Sequence, residues 1–207
     1  MKRTRIKFCG ITRAADADTA ARLGADAIGL VLAPGSPRFI SPQQAAIIRA
    51  RMLAPVQVVT LFSNAAASVV RDALEEVQPD LLQFHGDESP QYCASFGRPY
   101  WRAVPMGSAV DLGEWERRFS TATALLLDAH GAGGQGGQGR AFDWTATRAT
   151  RPYVLAGGLT PDNVGEAVRR LRPSMVDVSS GIESAPGIKD EDKMQRFVEA
   201  VRKADGQ

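Results

Sequence analysis

Three features of the sequence predict an α/β fold, a single-domain (β/α)8 or TIM barrel over residues 1–207. Short apolar segments recur along the chain, and each is followed by a longer segment with helical periodicity. Eight such units in 207 residues average about 26 residues each, enough for one strand, two loops and one short helix. The strand segments are continuously apolar, which is typical of parallel sheets buried on both faces. A doubly wound open sheet is the alternative, and the regular period favours the closed barrel.

The eight predicted strands are rich in Val, Ile, Leu and Phe. They are Ile6–Cys9, Ala27–Leu32, Gln57–Phe62, Leu81–Phe84, Tyr100–Val104, Ala124–Asp128, Tyr153–Ala156 and Met175–Val178. Because a helical segment separates each strand from the next, the pattern argues against an all-β fold and against a helical bundle.

Capping residues predict where several helices begin and end. Ser41 precedes a proline and lies three residues before Gln44, which predicts a capping box at a helix N-terminus. Ser89–Pro90 and Thr160–Pro161 repeat the combination of a capping side chain and a proline. Gly24 is typical of a residue that ends a helix.

Composition and charge exclude several classes of protein. The chain is 44% hydrophobic and 23% charged, with a formal net charge of +2. Lys and Arg are scattered along it, so no nucleic-acid-binding face is indicated. No apolar stretch approaches the roughly 18 residues of a membrane span, and the apolar segment behind the basic N-terminus is too short for a signal peptide.

Cysteine usage indicates a reducing compartment. Cys9 and Cys93 allow at most one disulfide and have no Cys-x-x-Cys metal or redox spacing. A chain of this length buries about 70% of the surface that its unfolded form exposes, so its core needs no disulfide. We therefore expect a cytoplasmic protein.

Polar residues and glycines at the C-terminal ends of the predicted strands are the first candidates for a functional site, because barrels of this type build their active sites there. The candidates, including the loop after the second strand, are Cys9, Arg38, His85, Asp128, Gly157, Gly158, Ser180 and Gly181. All of them are expected to point toward one mouth of the barrel.

Cys9 ends the first predicted strand and has two interpretations. A lone cysteine is most often a small buried core residue. Lys7, however, lies two residues earlier on the same strand face. Its charge is expected to lower the pKa of the Cys9 thiol and to favour a reactive thiolate.

Asp128 closes the apolar segment Ala124–Leu127. An unpaired carboxylate would be costly there if it only filled the core, which favours a functional role, and a capping role is the alternative. His85 ends the fourth predicted strand, either as a hydrogen-bonded residue of the barrel rim or as part of the site.

Glycines after the seventh and eighth strands indicate an anion site. Gly157, Gly158, Ser180 and Gly181 leave backbone N–H groups uncovered in the two loops that usually bind phosphate in such barrels, and ordinary turn chemistry is the alternative. The Arg38 guanidinium can bind a carboxylate through two parallel hydrogen bonds, although a loop arginine is often only solvated.

Neither a metal nor a dinucleotide cofactor is expected. Cys9, His85, Asp128 and His130 have no spacing diagnostic of a metal site. The segment Gly131–Gly139 contains two matches to G-x-G-x-x-G, one from Gly131 and one from Gly134, but no acidic residue follows at the distance that a ribose contact requires. Such glycine density is more typical of a mobile loop that closes over a ligand. His130 beside it is more typical of ordinary loop polarity.

Seven short segments occur in order along nearly the whole chain. They are Lys7–Thr12, Ser36–Ile40, Leu82–Gly86, Leu127–Asp128, Phe142–Trp144, Leu155–Leu159 and Asp177–Glu183. Together they resemble phosphoribosylanthranilate isomerase, an enzyme family of tryptophan biosynthesis. Unrelated phosphate-binding barrels share the glycine loops but not the Cys-Gly-Ile-Thr sequence that begins at Cys9. The departures are Phe84, where the family often has leucine, and the glycine content of Gly131–Gly139.

The resemblance implies an isomerase that catalyses an Amadori rearrangement. The substrate would be N-(5-phosphoribosyl)anthranilate and the product 1-(2-carboxyphenylamino)-1-deoxyribulose 5-phosphate, with no metal or redox cofactor. Asp128 would be the general acid that protonates the ribose ring oxygen, and Cys9 the general base that removes the C2 proton.

The resemblance also implies binding roles. Arg38 would bind the anthranilate carboxylate. Backbone amides of the two glycine-containing loops would bind the phosphate, namely those near Gly157, Gly158, Ser180 and Gly181. Asp177 and His85 match family positions near the site, without an assigned role.

Two alternatives stay open on the sequence. Another sugar-phosphate isomerase or synthase barrel would be expected to carry a carboxylate or a lysine in place of Cys9. A non-catalytic barrel that binds phosphorylated metabolites would be expected to have lost Cys9 or Asp128, and this sequence has both. The expected partner is a phosphorylated small molecule, with no nucleic acid and no membrane, and the chain is expected to be a monomer or a homodimer.

Overall fold

The computed structural model describes residues 3–52, 54–107, 110–129 and 149–206. In these ranges eight parallel strands close into a barrel, each pairing with the next along the chain and the last pairing with the first. The strands are β1 (Arg5–Cys9), β2 (Ala27–Val31), β3 (Gln57–Phe62), β4 (Leu81–Phe84), β5 (Tyr100–Pro105), β6 (Ala124–Asp128), β7 (Tyr153–Leu155) and β8 (Met175–Val178). The predicted barrel is confirmed, and every strand lies within one residue of its predicted bounds.

Helices alternate with the strands on the outside of the barrel. They are α1 (Ala14–Arg22), α2 (Pro42–Arg51), α3 (Ala67–Glu76), α4 (Pro90–Ala94), α5 (Leu112–Arg118), α6 (Val164–Leu171) and α7 (Glu191–Ala204). After β8 the chain forms a 3₁₀ turn, Ser180–Ile182, and a short antiparallel hairpin of β9 (Glu183–Ala185) and β10 (Ile188–Lys189) before α7 begins.

Most of the predicted helix boundaries are confirmed. Ser41 forms both hydrogen bonds of the capping box with Gln44, and the Ser89 hydroxyl accepts from the backbone N–H of Tyr92 at 3.1 Å. Gly24 follows the last residues of α1 with a left-handed φ of 82°.

The helix start predicted at Thr160–Pro161 is wrong by three residues, because α6 begins at Val164. The Asn163 side chain accepts from the Thr160 backbone N–H at 2.8 Å and donates to the Gly158 carbonyl at 2.9 Å. An asparagine that satisfies the local backbone in this way stabilises a turn in place of a helical turn. The turn ties the loop after β7 to the start of α6.

Strand residues alternate between the helix-packed outside and the inside of the barrel. The outward-facing ring of Phe8 packs against Phe197 of α7, with ring centroids 6.1 Å apart. Inside the barrel lies a separate inner apolar cluster, formed by Ala27, Val59, Leu81, Trp101, Ala103, Leu126, Val154, Ala156 and Met175. Toward the C-terminal strand ends it gives way to an inner polar cluster of Lys7, Cys9, Gln83, Asp128 and Asp177.

Three of the sequence predictions concern segments outside the described residues. These are His130, the glycine-rich segment Gly131–Gly139 and the family segment Phe142–Trp144. Among the described residues, no helix has both the length and the apolar character needed to span a bilayer.

Candidate active site

A pocket at the C-terminal ends of the barrel strands contains most of the predicted site residues. Its lining includes Cys9, Arg38, His85, Asp128, Gly157, Gly158, Asp177 and Ser180. Six different strands or the loops that follow them supply these residues. Gly181 lies beside the lining, against Leu159. The structure thus brings the predicted residues to one mouth, while their chemical roles stay predictions.

Asp128, the last residue of β6, takes part in a chain of polar contacts. Its Oδ2 atom lies 3.2 Å from His85 Nε2, and His85 Nδ1 lies 3.3 Å from Gln83 Nε2. Gln83 and His85 share a face of β4 because residues two apart in a strand point the same way. The imidazole of His85 thus lies between the Gln83 amide and the Asp128 carboxyl group, with one ring nitrogen facing each.

Cys9 and Lys7 occupy the same inward face of β1. Cys9 is 6% exposed and lines the pocket, whereas Lys7 is fully buried beside it. Gly29 of β2 pairs with Cys9 and makes room for both side chains. A Cβ at position 29 would lie 2.7 Å from Cys9 Sγ and 3.1 Å from Lys7 Cε. Any larger residue there would displace the thiol.

The expected lowering of the Cys9 pKa is wrong for the ligand-free protein. Burial raises the pKa of the Cys9 thiol, and the opposing charge of Lys7 does not overcome this effect. In α4, burial raises the pKa of the Cys93 thiol to about 12. Both cysteines therefore rest as neutral thiols, and of the two it is Cys9 that lines the pocket.

The Lys7 ammonium is held by a carboxylate on the neighbouring strand. Lys7 Nζ donates to Asp177 Oδ1 at 2.9 Å, and the two residues lie in direct register on β1 and β8. Burial by itself would lower the pKa of Lys7, but the negative charge of Asp177 and its hydrogen bond oppose this effect, and the pKa of Lys7 is raised. Burial also raises the pKa of Asp177, and Asp128 acts in the same direction. Lys7 is thus a retained cation beneath Cys9.

Arg38, in the loop between β2 and α2, is buried and held by Glu183. Its Nε and Nη2 atoms each donate at 2.8 Å to one of the two carboxylate oxygens. Lys189 Nζ donates to the same carboxylate at 2.8 Å and to the Ser179 carbonyl at 3.1 Å. Despite its burial, Glu183 has a lowered pKa because Arg38 and Lys189 stabilise its charged form. Of these three residues Arg38 lines the pocket, and burial lowers the pKa of Lys189.

The glycine loops after β7 and β8 present backbone to the pocket. Gly157 and Gly158 have φ values of 81° and 65°, in the left-handed region that favours glycine. A Cβ at Gly157 would collide with the backbone N of Ala129 and lie 2.9 Å from Asp128 Oδ1. A Cβ at Gly181 would overlap the carbonyl oxygen of Leu159. The two loops therefore meet without an intervening side chain.

Sequence reasoning missed three residues of this site. Gln83 lines the pocket and contacts His85, and its signal was a polar side chain in the otherwise apolar β4. Glu183 and Lys189 hold Arg38 and the hairpin that follows β8. Their signal is absent from the sequence pattern because Glu183 and Arg38 lie 145 positions apart.

Comparison with known proteins identifies the family. A family model for N-(5'-phosphoribosyl)anthranilate (PRA) isomerase matches residues 6–200. The N-(5'-phosphoribosyl)anthranilate isomerase of Dechloromonas aromatica is 53% identical over 205 residues, covering 98% of both chains. The enzyme of the same name from Nitrosococcus oceani is 52% identical over 201 residues, covering 96% of this chain and 98% of the relative. The chain belongs to the N-(5'-phosphoribosyl)anthranilate isomerase family.

Solved structures agree with membership of this isomerase family. Phosphoribosyl anthranilate isomerase from Thermus thermophilus is 36% identical with a TM-score of 0.88, covering 97% of this chain and 99% of that one. A phosphoribosyl anthranilate isomerase in complex with reduced 1-(o-carboxyphenylamino)-1-deoxyribulose 5-phosphate is 33% identical with a TM-score of 0.80, over 97% and 99% of the two chains. The chain is an enzyme of this family, which removes the alternatives of a different sugar-phosphate barrel and of a non-catalytic one.

Proposed function

We propose that this pocket converts N-(5'-phosphoribosyl)anthranilate to 1-(2-carboxyphenylamino)-1-deoxyribulose 5-phosphate, a step of tryptophan biosynthesis, with Asp128 as general acid and Cys9 as general base. The observation that carries the proposal is the placement of an acid and a thiol, at the ends of β6 and β1, in one pocket beside Arg38 and the glycine loops. These groups match the ring, the carboxylate and the phosphate that the substrate's name describes.

Ring opening is the first step. Asp128 gives a proton to the ribose ring oxygen, the bond from that oxygen to C1 breaks, and the anthranilate nitrogen lone pair forms a cationic imine with C1. The geometry supports this role because Asp128 lines the pocket and one of its carboxyl oxygens lies 3.2 Å from His85 Nε2, which orients the carboxyl group. A fixed acid of this kind contributes through orientation as well as proton transfer.

Proton removal from C2 is the second step. The Cys9 sulfur takes this proton, and the electrons of the C–H bond form a C1–C2 double bond that neutralises the imine. The resulting enolamine then tautomerises to the ketone. Cys9 is a thiol in the ligand-free protein. The cationic imine beside it favours the thiolate by direct charge attraction, and the thiol proton leaves to water in the pocket before the sulfur takes the C2 proton. A base of moderate strength suffices because the proton lies next to a cation.

Substrate binding uses two positively polarised regions on the same pocket. Arg38 supplies charge for the anthranilate carboxylate, and Glu183 and Lys189 hold its guanidinium in place. The backbone amides near Gly157, Gly158, Ser180 and Gly181 supply donors for the phosphate. Among solved relatives, monomers have been made of the dimeric enzyme from Thermotoga maritima. For this chain we expect a single catalytic domain over residues 1–207, located in the cytoplasm, as a monomer or a homodimer.

The direct test is a fluorescence assay with freshly made phosphoribosylanthranilate. The purified protein should abolish the anthranilate emission at a rate proportional to enzyme concentration, without added metal or redox cofactor. Unchanged turnover after dialysis against EDTA is expected on the same account. Emission that decays at the rate of the buffer control, with folded protein, would contradict the proposal.

A further inference from the structure

Lys7 and Asp177 form a buried ion pair that no step of the proposed reaction uses. We propose that this pair sets the protonation of Cys9 in opposite directions, with Lys7 favouring the thiolate and Asp177 favouring the thiol. Both would be positioning residues, since they act on the substrate through Cys9. The catalytic consequence rests on the proposed function, whereas the charge effect belongs to the ligand-free protein.

The packing around Gly29 places Lys7 against the thiol. A side chain at this one position would meet Cys9 Sγ and Lys7 Cε together, so the lysine stem and the sulfur lie side by side over Gly29. Lys7 is fully buried, and its charge is not screened by solvent. In such surroundings a cation has a strong effect on a neighbouring thiol.

Asp177 limits the effect of Lys7. Its Oδ1 accepts from Lys7 Nζ at 2.9 Å, and its negative charge raises the pKa of Cys9 while Lys7 lowers it. Asp177 therefore offsets part of the effect of Lys7 on the sulfur, and burial keeps Cys9 protonated until a further positive charge arrives. The cationic imine of the substrate is such a charge, so the thiolate would form when the proton is to be removed.

Other charged groups face the same pocket from different elements. Lys189 of β10 also favours the Cys9 thiolate, with a weaker effect than the charges of Lys7 and Asp177 have. Arg38 lies on the loop after β2, and His85 and Asp128 line the pocket on β4 and β6. These groups are present in every variant compared, so the difference between single variants reports on the pair.

The test measures the reactivity of Cys9 without turnover. In a Cys93→Ser background, the rate of iodoacetamide labelling of the ligand-free protein is followed from about pH 6 to about pH 10. Lys7→Gln should slow labelling at neutral pH about tenfold or more, and Asp177→Asn should accelerate it several-fold. The reason is that a nearby charge shifts the pKa of a thiol by roughly one unit or more. Lys7→Arg retains the cation and should stay close to the parent.

The decisive result is a labelling rate that falls in Lys7→Gln and rises in Asp177→Asn, because a loosened pocket would raise the rate in both variants. Labelling that changes in the same direction in Lys7→Gln and Asp177→Asn overturns the proposal, and so does a labelling profile of folded Lys7→Gln that coincides with the parent. Circular dichroism identifies a variant that has not folded. In that case the direction in which the labelling rate of the other variant changes decides the test.

Activity separates this inference from the proposed reaction. An active Cys9→Ser enzyme would remove Cys9 as the base even if the labelling rates behave as expected. Conversely, an inactive Cys9→Ser enzyme together with an unshifted labelling profile in Lys7→Gln would support Cys9 as the base. The same result would refute the proposal that Lys7 and Asp177 set its protonation. In the combined account, the rising limb of kcat/KM moves to higher pH in Lys7→Gln, because a base must lose its proton to act.

Discussion

The inside of the barrel has two parts with different chemistry. The inner apolar cluster, with Trp101 as its largest member, contains no ionisable side chain. The inner polar cluster places Lys7, Cys9 and Asp177 at 6% exposure or less, beside the pocket. Burying such charges costs free energy unless they are paired. One part of the barrel interior is therefore purely apolar, and on the proposed mechanism the other retains costly buried charges for the reaction.

The largest expected effect is on turnover and comes from the polar part. Asp128→Asn keeps the shape of the side chain but cannot donate the carboxyl proton, so kcat should fall by about 10² to 10⁴. Binding of a reduced product analogue should be nearly unchanged, because the carboxylate and phosphate contacts lie elsewhere. Steady-state fluorescence and calorimetric titration measure the two quantities, and parental kcat in the Asp128→Asn variant would exclude Asp128 as the acid.

A substitution in the inner apolar cluster should lower stability and leave turnover unchanged. Trp101→Ala removes a 5%-exposed ring from the inner apolar cluster, and the lost burial and the resulting cavity should lower the free energy of unfolding by about 3 to 5 kcal/mol. Urea denaturation measures this loss. At a temperature where the variant is folded, kcat per folded molecule should stay close to the parental value. A variant with normal stability and abolished turnover would erase the distinction between the two parts.

Arg38→Ala tests the proposed contact between Arg38 and the anthranilate carboxylate of the substrate. Removal of a charged hydrogen-bonding partner should weaken substrate binding by about 1.5 to 3 kcal/mol. A substrate analogue without the anthranilate carboxylate serves as the control, because it has no partner to lose and should bind both proteins equally well. Equal weakening of both ligands would mean that Arg38 acts on the pocket as a whole, through its contacts with Glu183.

The smallest expected effect lies outside the barrel. Ser41 caps α2 and accepts from the Gln44 backbone N–H at 3.2 Å, so Ser41→Ala should lower the free energy of unfolding by about 1 kcal/mol. Neither kcat nor KM should change. A change in KM would show that α2 transmits its position to Arg38, three residues before the cap, and would extend the functional part of the molecule beyond the barrel interior.

The sequence predicted the elements well and the electrostatics poorly. Apolar segments locate the strands because a barrel strand is buried on both sides, and Cys9, Arg38 and Asp128 follow from the rule that sites lie at strand ends. The Cys9 pKa could not be predicted, since the sequence shows Lys7 nearby but not the burial that opposes it. The partnership of Arg38 with Glu183 depends on the hairpin after β8, which folds back onto the pocket.

Cys9 and Cys93 provide a matched pair inside one protein. Both are buried thiols with raised pKa values. They differ in position, because Cys9 lines the pocket and Cys93 lies in α4, outside the barrel. Exposure to iodoacetamide should therefore inactivate the enzyme through Cys9, and a phosphorylated ligand should protect it.

The central claim, that Cys9 is the base, is tested most directly by kcat/KM of Cys9→Ser measured beside Cys93→Ser. A hydroxyl has nearly the shape of the thiol but is a far weaker base near neutral pH, so Cys9→Ser should lose about 10² to 10⁴ in kcat/KM. Cys93→Ser should stay near the parental value, because its thiol takes no part in the chemistry. Parental activity in Cys9→Ser, or inactivation that follows labelling of Cys93 in peptide maps, would contradict the account.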